Sequence, residues 1–250
     1  MGTQTGRYEE GLAAAKKEDF ATAVSLWRPL AEQGDAAAQR DMGWIYANGL
    51  GVAQDFRAAI TWYRLAADQG DAVSRNNLGH MYLLGKGVAR NYEAAVKWHQ
   101  LAAEQGDPVA QYNLGVSYDI GRGVAQDPIE AITWFRRAAE QRNAEAQFAL
   151  GIRYDIGRGV ARDPIEAITW FRRAAEQGNA EAQCGLGYSY DEGRGVTRDP
   201  VQALFWFNLA VAQGEAHALK GRDLVTATMT PDQIAQAQAL AAAWKPSAGQ

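Results

Sequence analysis

Apolar residues recur along most of this chain at helical rather than strand spacing. The clearest instance is Ala59, Trp62, Tyr63, Ala66 and Ala67, which follow i, i+3, i+4, i+7 and i+8 and mark one face of an amphipathic helix. The stripe returns at Ala95, Trp98, Ala102 and Ala103, at Ala131, Trp134, Phe135, Ala138 and Ala139, and around Trp170 and Trp206. Each of these helices, termed helix B, is preceded by a second pattern, helix A. Helix A carries Met42-Gly43 with Tyr46, then Leu78-Gly79 with Tyr82, Leu114-Gly115 with Tyr118, Leu150-Gly151 with Tyr154, and Leu186-Gly187 with Tyr190. Residues four apart share a helix face. A glycine inside a helix costs roughly 1 kcal/mol relative to alanine, so its return at one phase needs a cause. The expected cause is close approach of a large side chain from helix B, taken here to be the tryptophan.

The two patterns alternate with a fixed period, which predicts a repeat architecture. Ala38-Gln39, Ala110-Gln111, Ala146-Gln147 and Ala182-Gln183 open equivalent segments, with Ser74-Arg75 in the second slot, so the repeats read as 38–73, 74–109, 110–145, 146–181 and 182–217. Segments 110–145 and 146–181 differ only at the pairs 112/148, 113/149, 116/152, 117/153, 126/162 and 142/178. Residues 8–37 and 218–244 lack parts of the unit and read as N- and C-terminal capping helices, with Trp244 closing one end. The polar start through Arg7 and the tail 245–250 flank them. The whole chain, 1–250, is therefore expected to be one solenoid domain.

Turn chemistry supports this reading. Helix A stops at Gly49, Gly85, Gly121, Gly157 and Gly193, where glycine takes the left-handed residue after the helix. A second glycine and a valine follow. Helix B starts at the N-caps Asp55, Asn91, Asp127, Asp163 and Asp199, the last three followed by Pro128, Pro164 and Pro200 at the first helical position. Asp127 with Glu130 and Asp163 with Glu166 have capping-box spacing. Helix B ends at Gly70, Gly106, Gly178 and Gly214; Arg142 breaks the rule, so strain or a shifted cap is expected there.

Composition narrows the function. The net charge is −4, which argues against a general nucleic-acid binder, since such proteins carry a basic surplus. No apolar run is long enough to span a membrane. The first residues have no apolar leader core, so the sequence as written reads as cytoplasmic, or periplasmic or secreted if a leader preceded it. Myristoylation is not expected, because position 6 is Gly6. Cys184 stands alone, so no internal disulfide is possible. His80, His99 and His217 lie in different repeats without metal-ligand spacing, and His99 occupies the slot of Tyr63, Phe135, Phe171 and Phe207, which predicts a packed aromatic substitute. The Gly-x-Gly-Val turns lack the Lys-Ser/Thr of a phosphate-binding loop. No cofactor or metal is predicted. Lys86, Arg122, Arg158 and Arg194 form a loop row with Arg90, Arg162 and Arg198 nearby. Asp119/Arg122, Asp155/Arg158 and Asp191/Arg194 are three apart and predict self-neutralisation; Arg136/Glu140 and Arg172/Glu176 have ordinary surface-pair spacing.

The recurring Ala-x-x-x-Leu-Gly-x-x-Tyr-x-x-Gly-x-Gly-Val, followed by Asp, Ala, Trp and Ala-Ala-x-x-Gly, resembles the Sel1-like repeat, a relative of the tetratricopeptide repeat. The resemblance covers roughly residues 8–244. Met229-Thr230-Pro231-Asp232-Gln233 is similar to the closing helix of bacterial members. The resemblance implies an all-α, right-handed α-solenoid superhelix of antiparallel helix pairs, and a scaffold or adaptor role without catalysis. Cysteine-rich relatives have been linked to β-lactam binding or hydrolysis, but their paired cysteines are absent here, which leaves a hydrolase as the remote alternative. A spacer or self-associating scaffold is the nearer one.

In related repeats, positions 3, 7, 10 and 11 of the unit face a concave groove. Here they read Arg40, Asn76, Tyr112, Phe148 and Cys184, then Trp44, His80, Val116, Ile152 and Tyr188, then Ala47, Leu83, Asp119, Asp155 and Asp191, then Asn48, Leu84, Ile120, Ile156 and Glu192. The candidate surface is apolar with three aspartates in register. It predicts an apolar protein or peptide partner of neutral or basic character, with aromatic anchors supplying the affinity. Carboxylate capture would instead demand a row of Lys and Arg. Positions 3 and 7 are open to a second reading, packing on the preceding helix B. With both ends capped, a monomer is expected.

Overall fold

The computed structural model describes residues 4–247; the outermost residues of the polar N-terminus and of the tail, 1–3 and 248–250, lie outside the described residues. Fourteen α-helices and no strand occur among the described residues. The chain forms two compact units, Met1–Gln126 and Asp127–Gln250. The first holds α1 (Gln4–Lys16), α2 (Phe20–Glu32), α3 (Ala36–Asn48), α4 (Phe56–Asp68), α5 (Ala72–Leu84), α6 (Tyr92–Glu104) and α7 (Pro108–Ile120). The second holds α8 (Pro128–Glu140), α9 (Ala144–Ile156), α10 (Pro164–Glu176), α11 (Ala180–Glu192), α12 (Pro200–Ala212), α13 (Ala216–Thr226) and α14 (Pro231–Ala243). Within each unit successive helices pack on one another across short turns, the arrangement of antiparallel neighbours, except that α14 packs on α12 rather than on α13.

Helix A begins two residues ahead of its Ala-Gln pair, at caps the repeat pattern did not reveal: Asp35, Asp71, Asp107, Asn143 and Asn179. The pair itself has a clear role. Gln39, Gln111, Gln147 and Gln183 are buried and donate to the carbonyls of Ala31, Ala103, Ala139 and Ala175 at the end of the preceding helix B. Arg75 makes the same bond to Ala67 in the divergent repeat.

Helix B caps fall at the expected residues, with Pro128, Pro164 and Pro200 in the first turn. The expected capping boxes are only half-formed. The Asp127 and Asp163 carboxylates accept from the amides of Glu130 and Glu166. The Asp163 amide is already committed to the Tyr154 carbonyl at 2.8 Å, so Glu166 has no donor to reach back to. Asp55, Asn91 and Asp199 are tied to Tyr46, Tyr82 and Tyr190 in the same way. A complete box closes instead at Thr230 and Gln233, opening α14. Arg142 keeps the helix end in phase and itself adopts φ 66°, so strain rather than a shifted cap answers the missing glycine.

The helix A glycines are explained by the residue after the tryptophan, which corrects the expectation above. A Cβ on Gly43 would collide with the Tyr63 ring, one on Gly79 with His99, one on Gly151 with Phe171 and one on Gly187 with Phe207. Gly11 stands in the same relation to Trp27. These rings are 3% exposed or less. The helix B tryptophans lie further out: Trp62 packs on the cluster of α2 and α3, and Trp98 on that of α4 and α5. In the loops, Gly51 combines φ 67° with close approach to the backbone of Phe20 and Ala21, so it locks one repeat onto the start of the previous helix B. In the second unit α14 packs on α12, and Trp244 packs on the cluster containing Phe205 and Trp206.

Candidate partner-binding surface

In the first unit the helix A stripe is open at two of its rows. Trp44, Asn48 and His80 are exposed and line a pocket of about 260 Å³ with Ala47, Phe56 and Lys86. Trp44 is steadied by Phe20, whose ring lies 5.9 Å away. Asn48 donates to the Trp44 carbonyl at 2.8 Å. Leu84 and Ile120 are 49% and 45% exposed. Leu83 and Val116 are half-buried beside Ile120. Burial and the Lys86 charge hold His80 below the ordinary imidazole range.

The remaining rows are more committed. Arg40 belongs to a polar network: it lies 2.9 Å from Asp41 and 3.6 Å from Asp71, and donates to Tyr8, which itself donates to Asp41. Asn76 accepts from Asn113 at 3.1 Å. Tyr112 is half-buried. Asp119 is 3% exposed, so it presents no carboxylate to a partner.

In the second unit positions 3 and 7 pack inward. Phe148 and Ile152 lie against the α10–α12 core cluster, with Phe148 5.9 Å from the Phe171 ring. Tyr188 meets Phe207 edge-on at 5.0 Å and donates to the His217 carbonyl. Ile156 is 57% exposed. Asp155 is bound to Arg194 at 2.7 Å, Glu192 pairs with the same arginine at 2.7 Å, and Asp191 lies 3.5 Å from Arg198. The three aspartates therefore do not form the free acidic row that their register suggested. Neutralisation does occur, but the partner of Arg194 is Asp155 of the previous repeat rather than Asp191, three residues away.

Two further expectations change. Arg136 and Arg172 reach the Tyr154 and Tyr190 hydroxyls, both at 2.9 Å, rather than Glu140 and Glu176. Arg28 and Arg64 reach Tyr46 and Tyr82 alike. The loop cations Lys86 and Arg122 stack over Phe56 and Tyr92, the first residues of helix B one repeat back.

Burial pushes the Cys184 thiol up to about 11, with Glu215 and Glu181 adding to the shift, so it is the protonated, unreactive form at neutral pH. The His217 ring is engaged by Glu215 at 2.8 Å. His99 sits in the aromatic slot, as expected from its register. No group of three or more potential metal ligands occurs among the described residues. No helix among them is long and apolar enough to cross a membrane.

Stacked helix pairs with capped, glycine-stopped ends and one buried ring per pair define a helical-repeat solenoid. The chain belongs to the Sel1 repeat family, whose repeat matches residues 3–35, 36–71, 72–107, 108–143, 144–179 and 180–215. It is similar to a Sel1 repeat protein from Oxalobacter formigenes at 32% identity, with 98% of each chain covered and a TM-score of 0.82. A putative Sel1 repeat protein from Klebsiella pneumoniae shares 23% identity over 81% of this chain and 98% of its own, with a TM-score of 0.53. An immunity protein from Pseudomonas aeruginosa shares 21% identity over 91% of this chain and 88% of its own, with a TM-score of 0.56; these last two likenesses concern the fold alone. No curated protein sequence matches the chain. Sel1 repeat proteins are generally protein-interaction scaffolds and typically non-catalytic.

Proposed function

We propose that this protein is a non-catalytic scaffold that holds a peptide or partner protein along the helix A stripe. The observation that carries this reading is the regular exposure of apolar side chains at position 11 of the repeat, Leu84 and Ile120 in the first unit and Ile156 in the second, with Trp44 exposed at position 7 of the first repeat. Ile129 and Ile165 of helix B are equally regular and more exposed, at 70% and 69%, but Leu84 and Ile120 border the half-buried Leu83 and Val116 of the same stripe. Exposed apolar groups flanked by rigid helices supply binding energy without a large ordering cost. The favoured partner is apolar, and the affinity rests on these side chains rather than on a charge row.

The test is selection of binders from a random peptide library on the intact chain, followed by affinity measurement on Leu84→Asp and Ile120→Asp. Each substitution places a charge on an exposed site, so the fold survives, and each is expected to weaken a selected peptide by at least tenfold, about 1.4 kcal/mol. A library that yields no binder, or binders indifferent to both substitutions, rejects the groove. Asp119, Asp155 and Asp191 mutated to Asn are expected to leave basic and neutral peptides equally bound.

A further inference from the structure

One contact recurs where a helix B meets the next helix A. Arg28, Arg64, Arg136 and Arg172 donate to the hydroxyls of Tyr46, Tyr82, Tyr154 and Tyr190 at 2.7–2.9 Å. Between α6 and α7 the arginine is replaced by Gln100, but Tyr118 keeps the ring. One repeat beyond Arg172 and Tyr190 stand Asn208 on α12 and Thr226 at the end of α13. The last junction therefore lacks both the long donor and the ring. At that place the structure has a hollow of about 460 Å³, lined by Leu204 and Asn208 of α12, Arg222 and Thr226 of α13, and Ile234 and Gln238 of α14.

The hollow has an apolar wall and a polar edge. Leu204 is 2% exposed and Ile234 is half-buried. The Thr226 hydroxyl is spent on the Arg222 carbonyl at 2.7 Å. The Arg222 guanidinium lies 3.0 Å from the Asp223 carboxylate, so this pair presents no net charge. The Asn208 amide has no hydrogen-bond partner among the described residues. Small-molecule sites are commonly clefts of about 300–1,000 Å³ with apolar walls and a few placed polar groups, and a cavity of about 150 Å³ already admits benzene. The missing parts define the guest. In the other junctions the space holds a phenol ring whose oxygen accepts from helix B, and here Asn208 is the donor left on helix B. A purely apolar guest would strip water from that amide and leave it unpaired, and the neutralised Arg222–Asp223 pair gives a charged guest no advantage.

We infer that the hollow between α12, α13 and α14 is a binding site for a small free phenol. Its ring lies against Leu204 and Ile234 in the place of the absent tyrosine, and its oxygen accepts from the Asn208 amide. The site shares no residue with the helix A stripe and does not depend on the groove reading. The probe is p-cresol, the tyrosine side chain as a free molecule, titrated into the intact chain by calorimetry and followed by NMR of the Leu204 and Ile234 methyl groups. Saturable binding that shifts those methyl groups is expected. Toluene, which lacks only the hydroxyl, should bind about fivefold to tenfold more weakly. Asn208→Ala should bring p-cresol down to the level of toluene and leave toluene unchanged. Asn208→Arg combined with Thr226→Tyr rebuilds the pair that other junctions use, so this double variant should melt at a higher temperature than the native chain and bind no p-cresol. Failure of p-cresol to saturate, equal binding of toluene, or binding that survives the double variant overturns the assignment. So does a double variant less stable than the native chain, because the hollow then has no room for the ring. N-Acetyltyrosinamide carries the same ring on a peptide unit; if it binds as tightly as p-cresol, the site belongs to a partner's tyrosine and the free-phenol assignment falls.

Discussion

Two helix A glycines that approach the same ring do opposite work in this fold. Gly151 lies under the Phe171 ring, where a Cβ cannot fit, whereas a Cβ on Gly185 would rest at an ordinary 3.6 Å from that same ring. Gly151→Ala therefore forces apart a tight helix pair and is expected to cost about 1–3 kcal/mol, partly offset by the roughly 1 kcal/mol of helix propensity regained. Gly185→Ala regains the propensity without the collision and should stabilise. Urea midpoints measured on the two variants should move in opposite directions; movement in the same direction contradicts the packing account. The sequence marked Gly151 as a recurring glycine but not which ring made it obligatory, because Trp170 and Phe171 are adjacent and only their directions from the helix axis separate them. Arg142 is a simpler case. Its φ of 66° is a conformation glycine adopts freely at the same point in other repeats. Arg142→Gly should raise stability by up to about 1 kcal/mol, read as a higher urea midpoint with unchanged slope.

At the scale of the helix pair, the α5–α6 element is distinguished by its buried histidine. His99 titrates near 6.5 when unfolded and is brought down to about 4 in the fold. Folding thus disfavours the protonated ring. The stability of the chain is full above the unfolded value and declines as pH falls from about 6.5 toward about 4, by roughly 3 kcal/mol at the limit. The groups that bear on this ring are the exposed His80 of α5 and Arg122 beyond α7; both are cationic at low pH and neither relieves it. Amide protection factors in α5 and α6, corrected for the intrinsic exchange rate at each pH, should fall between pH 7 and pH 5 in the native protein, more than in the α9–α10 pair that carries Phe171. His99→Phe should remove the difference; a variant that keeps the same acid sensitivity shows that carboxylates elsewhere set it. The register of the repeat revealed this slot from sequence alone. The hydrogen-bond state of its occupant was not legible, since that depends on what lies one repeat further on.

For the molecule as a whole, what could be read in advance was whatever repeats. Period, caps, glycine stops and helix phase follow from local chemistry and survive translation along the chain. What escaped the reading joins one repeat to the next: the glutamine ties to the preceding helix B, the Arg194–Asp155 bond, and the arginine–tyrosine contacts between successive helices. No sequence spacing within one unit encodes these, and the three aspartates looked available for that reason. The ends of a repeat array pose the complementary problem, because the last helix pair has no successor to cover it. In this chain α12 is apolar on nearly every side, burying Leu204, Phe205, Trp206 and Phe207 at 8% exposure or less. Part of that cover is α14: Ala237 and Ile234 pack with Leu204 and Phe207, while Ala241 and Trp244 pack with Phe205, Trp206 and Leu209. Ending the chain after Met229 removes this cover and leaves a contiguous apolar face of the kind that drives association. The truncated protein is expected to elute as larger species in size-exclusion chromatography and to lose protection in α12 and α13 by hydrogen exchange. Milder damage at the same place should scale down the effect: Trp244→Ala, which removes one half-buried ring, is expected to cost about 1–3 kcal/mol without association. If the truncated chain instead remains monomeric with α12 fully protected, α14 is an appendage and the array closes on α13 alone.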